Sequence, residues 1–195
     1  TIVGYLLTVG WHNRGLGIGA IAYPREPYGG STWGVAFVSR VSISNPVPHS
    51  LPVPNPADSL GRKVLRVTVS LPGRPAIWAY CTHISFNVEN AAAQIPEAYV
   101  FGNDGFDPQA SRRIVMGDFN SEPFELMDDQ WLPFVPNRRW EDADTSYAKT
   151  WPQVDSTKKL DYVLRSAATL PSTSNIELVG VKGSDHKVEL ATITA

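Results

Sequence analysis

The chain has 195 residues, 43% of them hydrophobic, with 17 basic and 19 acidic side chains and a formal charge of -2. That length and apolar content suit the core of a single domain, 1–195, while the near-neutral balance excludes a general attraction to nucleic acid or anionic membrane and makes any polyanion site a local one. The single cysteine, Cys81, excludes an internal disulfide and a zinc site built of cysteines.

No apolar run reaches membrane-spanning length. The start Thr1-Ile2-Val3-Gly4 has neither methionine nor a basic leader, so it is read as the start of a processed or trimmed product, with secreted and cytoplasmic locations both open. Gly15-Leu16-Gly17-Ile18-Gly19 lacks the Lys-Ser/Thr and the glycine spacing of a phosphate loop and is set aside. His12 and His49 fall in turn-like segments and are read as solvated. Strands are predicted over Trp33 to Val38, Val64 to Val69, Ala76 to His83, Arg113 to Gly117, Leu160 to Leu164, Ile176 to Val181 and Val188 to Ile193, from β-branched and aromatic runs bounded by turn residues. Several, such as Ile114-Val115-Met116, are apolar on both faces, which places them between other layers. The segment from Asn45 to Pro56 has five prolines in twelve residues and is predicted to be a long surface loop. A helix is predicted over Val88 to Val100, broken in its later half by Pro96, and a second near Pro123 with Ser121 as N-cap and Glu125 in the first turn. Phe101 to Ser111 and Arg138 to Thr150 read as irregular.

Chemistry-bearing residues cluster at the ends of these strands. The run Ile114 to Asn120 ends an apolar strand in Asp118 and Asn120, which alternation places on one side, a polar spot able to hold a cation or a water. Thr82-His83 ends another strand with an imidazole, which on its own is as well explained by a structural role. Ser184-Asp185-His186 crowds the turn before the last strand, where a capping aspartate is the bland alternative. Asp161 interrupts an otherwise apolar strand and needs a partner; an imidazole serves, and so does surface pairing with Lys158 or Lys159. Arg112-Arg113 and Arg138-Arg139 are read as a solvated face or a partial grip on a polyanion.

Taken in order, Gly34-Val35-Ala36-Phe37-Val38-Ser39-Arg40, Arg62-Lys63-Val64-Leu65, Thr82-His83, Gly117-Asp118-Phe119-Asn120, Thr150-Trp151, Leu160-Asp161-Tyr162 and Ser184-Asp185-His186 resemble the endonuclease/exonuclease/phosphatase (DNase I-like) superfamily from about Trp33 to the C-terminus. The resemblance implies a four-layered α/β sandwich, two packed, mostly antiparallel sheets flanked by helices. It implies a divalent-metal-dependent phosphoesterase, with a nuclease-like phosphodiesterase acting on DNA or RNA as first choice. Carried over by position, His83 donates a hydrogen bond or proton near the phosphate, and Asp118 and Asn120 orient or activate the water. Arg62 binds a phosphate oxygen and Trp151 lies near the site mouth, both on the substrate side. Asp185 and Asp118 hold the metal, and His186, oriented by Asp161, contacts the phosphate or acts as general base. Oxygen ligands favour Mg²⁺, with Mn²⁺ or Ca²⁺ as alternatives.

The family's first strand, with its asparagine, and the next, ending in a metal-binding glutamate, have no counterpart upstream of Trp33. The first acid is Glu26, between prolines in Pro24-Arg25-Glu26-Pro27, where a strand-end ligand is not expected. The chain is therefore read as an N-terminally incomplete domain whose missing piece is a potential partner. A phosphatase or phospholipase of the inositol phosphate or sphingomyelin type, and a non-catalytic binding protein retaining the fold, are the alternatives.

Overall fold

The apolar runs form strands, and the prolines and polar segments bend or cap them. The structure is a computed structural model that describes residues 21–28, 31–39, 41–104, 112–128, 140–144, 146–166, 176–180 and 184–191. In chain order the strands are β1 (Ile21–Tyr28), β2 (Ser31–Phe37), β3 (Ser42–Ser50), β4 (Lys63–Ser70), β5 (Ile77–His83), β6 (Arg113–Asp118), β7 (Trp140–Asp142), β8 (Asp161–Ser166), β9 (Ile176–Gly180) and β10 (Lys187–Ala191). The helices are α1 (Val88–Asn103) and α2 (Pro123–Asp128).

A mixed sheet of order β3-β4-β5-β6-β8-β7 is the frame, with β1–β2 and β9–β10 as separate antiparallel pairs. Alternation gives the frame two apolar faces. On one, Val64, Tyr80, Val115, Tyr162 and Leu164 pack with Ala91, Ile95 and Ala98 of α1 and Leu126 of α2. On the other, Leu65, Val67, Ala79, Cys81, Ile114 and Met116 meet Val35 and Phe37 of β2. This α/β arrangement bears out the expectation of central strands covered on both faces. Among the described residues, no helix is long and apolar enough to cross a membrane.

The sequence expectations fail in several places. The Asn45 to Pro56 segment is not all loop: its first part belongs to β3, paired antiparallel with β4. The prolines fit because β3 is an edge strand and carries a register shift between Ser44 and Val47, where Asn45 has a φ of 50°. His49, on β3, is not simply solvated; its Nε2 lies 2.7 Å from Glu97 Oε1 and its ring stacks on Phe101. Pro96 does not break α1, which runs on to Asn103. Pro96 and Ala92, the residue whose carbonyl loses its partner, are both exposed, so water can satisfy that group. Asn87 caps the helix start, its side chain accepting from the amides of Glu89 and Asn90 at 3.1 Å.

The Pro24 to Pro27 stretch lies within β1, with a register shift between Tyr23 and Glu26. Trp140–Asp142, expected to be irregular, forms β7. Arg113 is 1% exposed and bonds the carbonyls of Gly102 and Asp104, so it offers no grip to a polyanion. His12, Gly15 to Gly19, Arg138 and Arg139 lie outside the described residues.

Candidate active site

Three neighbouring strand ends bring the site together. β5 and β6 run parallel with His83 opposite Asp118, and β8 pairs antiparallel with β6 so that Asp161 stands opposite Asp118 from the other side. His83, Asp118 and Asp161 thus form one row across the sheet. Alternation puts all three on the face shared by Cys81, Met116 and Val163. That face is the one away from α1 and α2.

The Gly117-Asp118-Phe119-Asn120 run has a local reason at each position. A Cβ on Gly117 would lie 2.1 Å from the carbonyl oxygen of Thr82, so only glycine lets β5 and β6 approach this closely. Asp118 Oδ1 accepts the Asn120 amide at 2.8 Å, a side-chain turn that bends the chain out of the strand. Asn120 has a φ of 49°, a left-handed conformation that asparagine tolerates. Phe119 is fully buried edge-on against Tyr162, and its amide donates to Leu160 O at 2.8 Å.

Asn120 Nδ2 donates to Ile84 O at 2.9 Å and lies 3.2 Å from His83 Nε2, so that nitrogen accepts. His83 Nε2 is also 3.4 Å from Asp118 Oδ2. Burial, then the charges of Arg62 and His186, depress the His83 pKa to about 3, so the imidazole is neutral at physiological pH. His186 closes the site from the turn before β10. Its Nδ1 lies 2.8 Å from Asp161 Oδ2, and its Nε2 is 3.8 Å from Asp118 Oδ2. Burial works against a charged His186, but the hydrogen bond to Asp161 and the charges of Asp161, Asp118 and Asp185 outweigh it and raise the pKa. Burial, then the Asp161 charge, pushes Asp118 up to about 7.

Asp118, Asp161 and His186 each present a ligand atom within 4.8 Å of the others. Two carboxylates side by side, with burial and the Asp161 charge opposing ionisation of Asp118, make together with an imidazole a donor set that fits a divalent cation. The expected ligand Asp185 stands outside this trio. It is exposed, its Oδ2 takes the indole N–H of Trp151 at 3.4 Å, and its carbonyl takes the Gln153 amide at 2.6 Å. Trp151 itself sits beside His186, ring centroids 6.5 Å apart.

Arg62 is present behind the site but buried, 3% exposed, with Nη2 3.3 Å from Asp58 Oδ2. Ser85 Oγ also donates to Asp58. Burial works to raise the Asp58 pKa, and the Ser85 hydrogen bond and the Arg62 charge overcome it, leaving the carboxyl below its usual range. Sequence reasoning missed Asp58, whose only signal is its position four residues ahead of Arg62. It also missed a second buried group. Lys159, rather than pairing with Asp161 at the surface, lies 3.1 Å from Glu189 Oε2 and 3.4 Å from Asp142 Oδ2 and Asp144 Oδ2. Asp161 takes the imidazole instead. Burial pushes Glu189 up to about 8 and Asp142 to about 6 against the pull of Lys159, so one ammonium serves three carboxyl groups that are not all ionised at neutral pH. Thr150, fully buried, accepts the amides of Leu160 and Asp161 on its hydroxyl at 3.1 and 3.2 Å, which sets the start of β8.

The profile of the Endonuclease/Exonuclease/phosphatase family matches residues 4–186. No curated protein matches the chain in sequence. Solved structures of similar fold include an endonuclease/exonuclease/phosphatase family protein from Leptotrichia buccalis, 16% identical, with a TM-score of 0.65 over 90% of this chain and 70% of that one. A mannosyl-6-phosphatase from Bacteroides thetaiotaomicron is 13% identical, with a TM-score of 0.67 over 91% of this chain and 77% of that one. The human Nocturnin catalytic domain with bound sulfate is 17% identical, with a TM-score of 0.60 over 90% of this chain and 72% of that one.

Proposed function

The chain belongs to the endonuclease/exonuclease/phosphatase family, and on that premise we propose that it is a divalent-metal-dependent phosphoesterase, with hydrolysis of a phosphodiester as the leading reading. The fold is read as the family's four-layered α/β sandwich in a single domain. The observation that carries the function is the row His83, Asp118 and Asp161 across three strand ends, closed by His186 at 2.8 Å from Asp161.

Asp118 and Asp161, with His186 beside them, are the residues that hold the cation, and Mg²⁺ or Mn²⁺ suits their oxygens. A divalent ion there supplies positive charge to the non-bridging oxygens of the phosphate. Asp161 keeps the His186 ring oriented and raises its basicity, so the neutral ring can take a proton from water and the protonated ring can donate a hydrogen bond to the phosphate. Asn120, fixed by Asp118 and Ile84, orients the attacking water. The neutral His83 acts as a hydrogen-bonding group rather than as a cation. Asp185 and Trp151 together form one wall of the mouth, and Asp185 belongs there rather than to the metal. Arg62, held by Asp58, contributes its charge from behind His83.

A small phosphate ester is a second reading. Of the arginines that a nucleic acid would need, Arg62 and Arg113 are buried, and Arg112 lies beside the β6 start, at the opposite end of that strand from Asp118. The test is nicking of supercoiled plasmid with Mg²⁺ and with chelator, alongside phosphate release from sugar and inositol phosphates, with Asp118→Ala in parallel. Metal-dependent nicking lost in Asp118→Ala supports the phosphodiesterase. Phosphate release without nicking supports the small-ester reading. Neither activity would remove the enzymatic reading and favour a binding protein.

A further inference from the structure

His186, in the turn that leads into β10, and Asp161, at the start of β8, belong to strands with no ladder between them. β10 is hydrogen-bonded to β9 in a two-stranded sheet, while β8 lies in the six-stranded frame between β6 and β7. The 2.8 Å contact between the two residues is therefore set by loop and side-chain contacts and not by strand pairing. Two are backbone bonds, Lys187 N to Thr150 O at 2.9 Å and Gln153 N to Asp185 O at 2.6 Å. The Trp151 indole also donates to Asp185 Oδ2 at 3.4 Å and Gln153 Nε2 to the His186 carbonyl at 3.5 Å; the fully buried contact is the Lys159–Glu189 pair at 3.1 Å, both side chains no more than 3% exposed. Lys159 lies two residues before Asp161 and Glu189 three after His186, so this one bond spans the segments that carry them.

A buried lysine–carboxyl contact is a costly way to gain stability, since an apolar pair of the same shape does as well or better. What it adds is direction. Lys159 is held from a second side by Asp142 of β7 and by Asp144, each at 3.4 Å, and its ammonium rests 4.7 Å from the Tyr162 ring. Its position is thus fixed within the frame before Glu189 meets it.

Resting on the phosphoesterase reading for its role in turnover, the geometry points to Lys159 and Glu189 as positioning residues that set the register of His186 against Asp161. They touch no reacting atom; they decide where the imidazole stands.

The test replaces Glu189 with leucine, which removes the acceptor and leaves Lys159 paired to Asp142 and Asp144, and with glutamine, which keeps an acceptor oxygen. The readouts are the His186 ring-nitrogen signals in long-range ¹H–¹⁵N spectra, thermal unfolding, and the hydrolysis of bis(p-nitrophenyl) phosphate with Mn²⁺. In folded Glu189→Leu the Nδ1 proton held by Asp161 should lose its protection from exchange, and kcat should fall about 10-fold with KM little changed. Glu189→Gln should restore both. Glu141→Gln, which breaks an ion pair with Arg165 between β7 and β8, should change neither. If Glu189→Leu does not fold, Glu189→Ala, which leaves room for water at Lys159, is measured in its place. A folded variant with the wild-type His186 signal would overturn the inference, whatever its activity. If the wild-type chain turns over no substrate, the phosphoesterase reading fails while loss of the His186 signal in Glu189→Leu still supports the positioning role.

Discussion

Asp161 Oδ2 stands 2.8 Å from His186 Nδ1, while the opposite ring nitrogen faces Asp118 Oδ2 at 3.8 Å. One carboxylate orients the imidazole and the other shares its working side. Asp161→Asn keeps the shape and one acceptor oxygen but exchanges the anion for a neutral amide, so His186 loses the charge that raises its pKa and the charge-assisted bond that orients it. Turnover should fall about 10- to 100-fold, with the His186 titration moved to lower pH and the melting temperature little changed. Steady-state kinetics and NMR titration of the ring check it; a wild-type rate in Asp161→Asn would remove Asp161 from the site.

Asp118 lies between His83 and Asp161 with its pKa pushed up to about 7 by burial and by Asp161. In the unfolded chain the same carboxyl ionises near 3.8. Without a cation, ionised Asp118 therefore costs the fold stability, increasingly as pH rises from 3.8 to about 7 and fully above that. Asp118→Asn should melt at least as high as the wild type in chelator at pH above 7, while losing about a hundredfold or more in turnover. Added Mg²⁺ or Mn²⁺ should raise the wild-type melting temperature and leave Asp118→Asn where it was. Differential scanning fluorimetry with and without metal makes the comparison.

The buried Lys159 group gives a separate pH signature. Glu189 is raised from 4.5 to about 8 and Asp142 from 3.8 to about 6, so over this range the folded chain holds protons that the unfolded chain has released. Stability must then fall as pH rises, with the Glu189 contribution confined between about 4.5 and about 8. Urea unfolding of the wild type across that window should show the decline, and Glu189→Gln, which does not titrate, should flatten it. An equally steep decline in Glu189→Gln would mean that Glu189 is ionised throughout.

Much of this was legible from residues alone, and what escaped has physical causes. The strands ending in His83 and Asp118 were readable because their apolar residues bury both faces of a central strand. Gly117-Asp118-Phe119-Asn120 was readable because close approach, a side-chain turn and a left-handed residue each restrict the amino acid allowed. β3 was missed because proline forbids a central strand yet is tolerated at an edge, and nothing local says which a segment will be. Arg62 reads as a phosphate contact and Arg113 as part of a surface pair; what buries them, Asp58 for one and the end of α1 for the other, carries no mark in the sequence. The Lys159 group draws on Asp142, Asp144 and Glu189, up to 47 residues apart, a spacing that only the fold brings together.

Gly117 sets how closely the two parallel strands approach beside the His83–Asp118 pair. Gly117→Ala puts a methyl group 2.1 Å from Thr82 O, which only a backbone shift can relieve. The change should destabilise the fold by about 1–3 kcal/mol and lower turnover further than stability alone explains, because His83 and Asp118 move apart. Chemical denaturation and kinetics on the folded fraction separate the two effects. Full activity per folded molecule would show that this spacing does not matter.

The most direct test of the account is hydrolysis of bis(p-nitrophenyl) phosphate by the purified chain with Mn²⁺ or Mg²⁺ and with chelator, comparing the wild type with His186→Ala. The account predicts turnover that requires the metal and is lost in His186→Ala. Turnover that persists in chelator, or at an unchanged rate in His186→Ala, would contradict it.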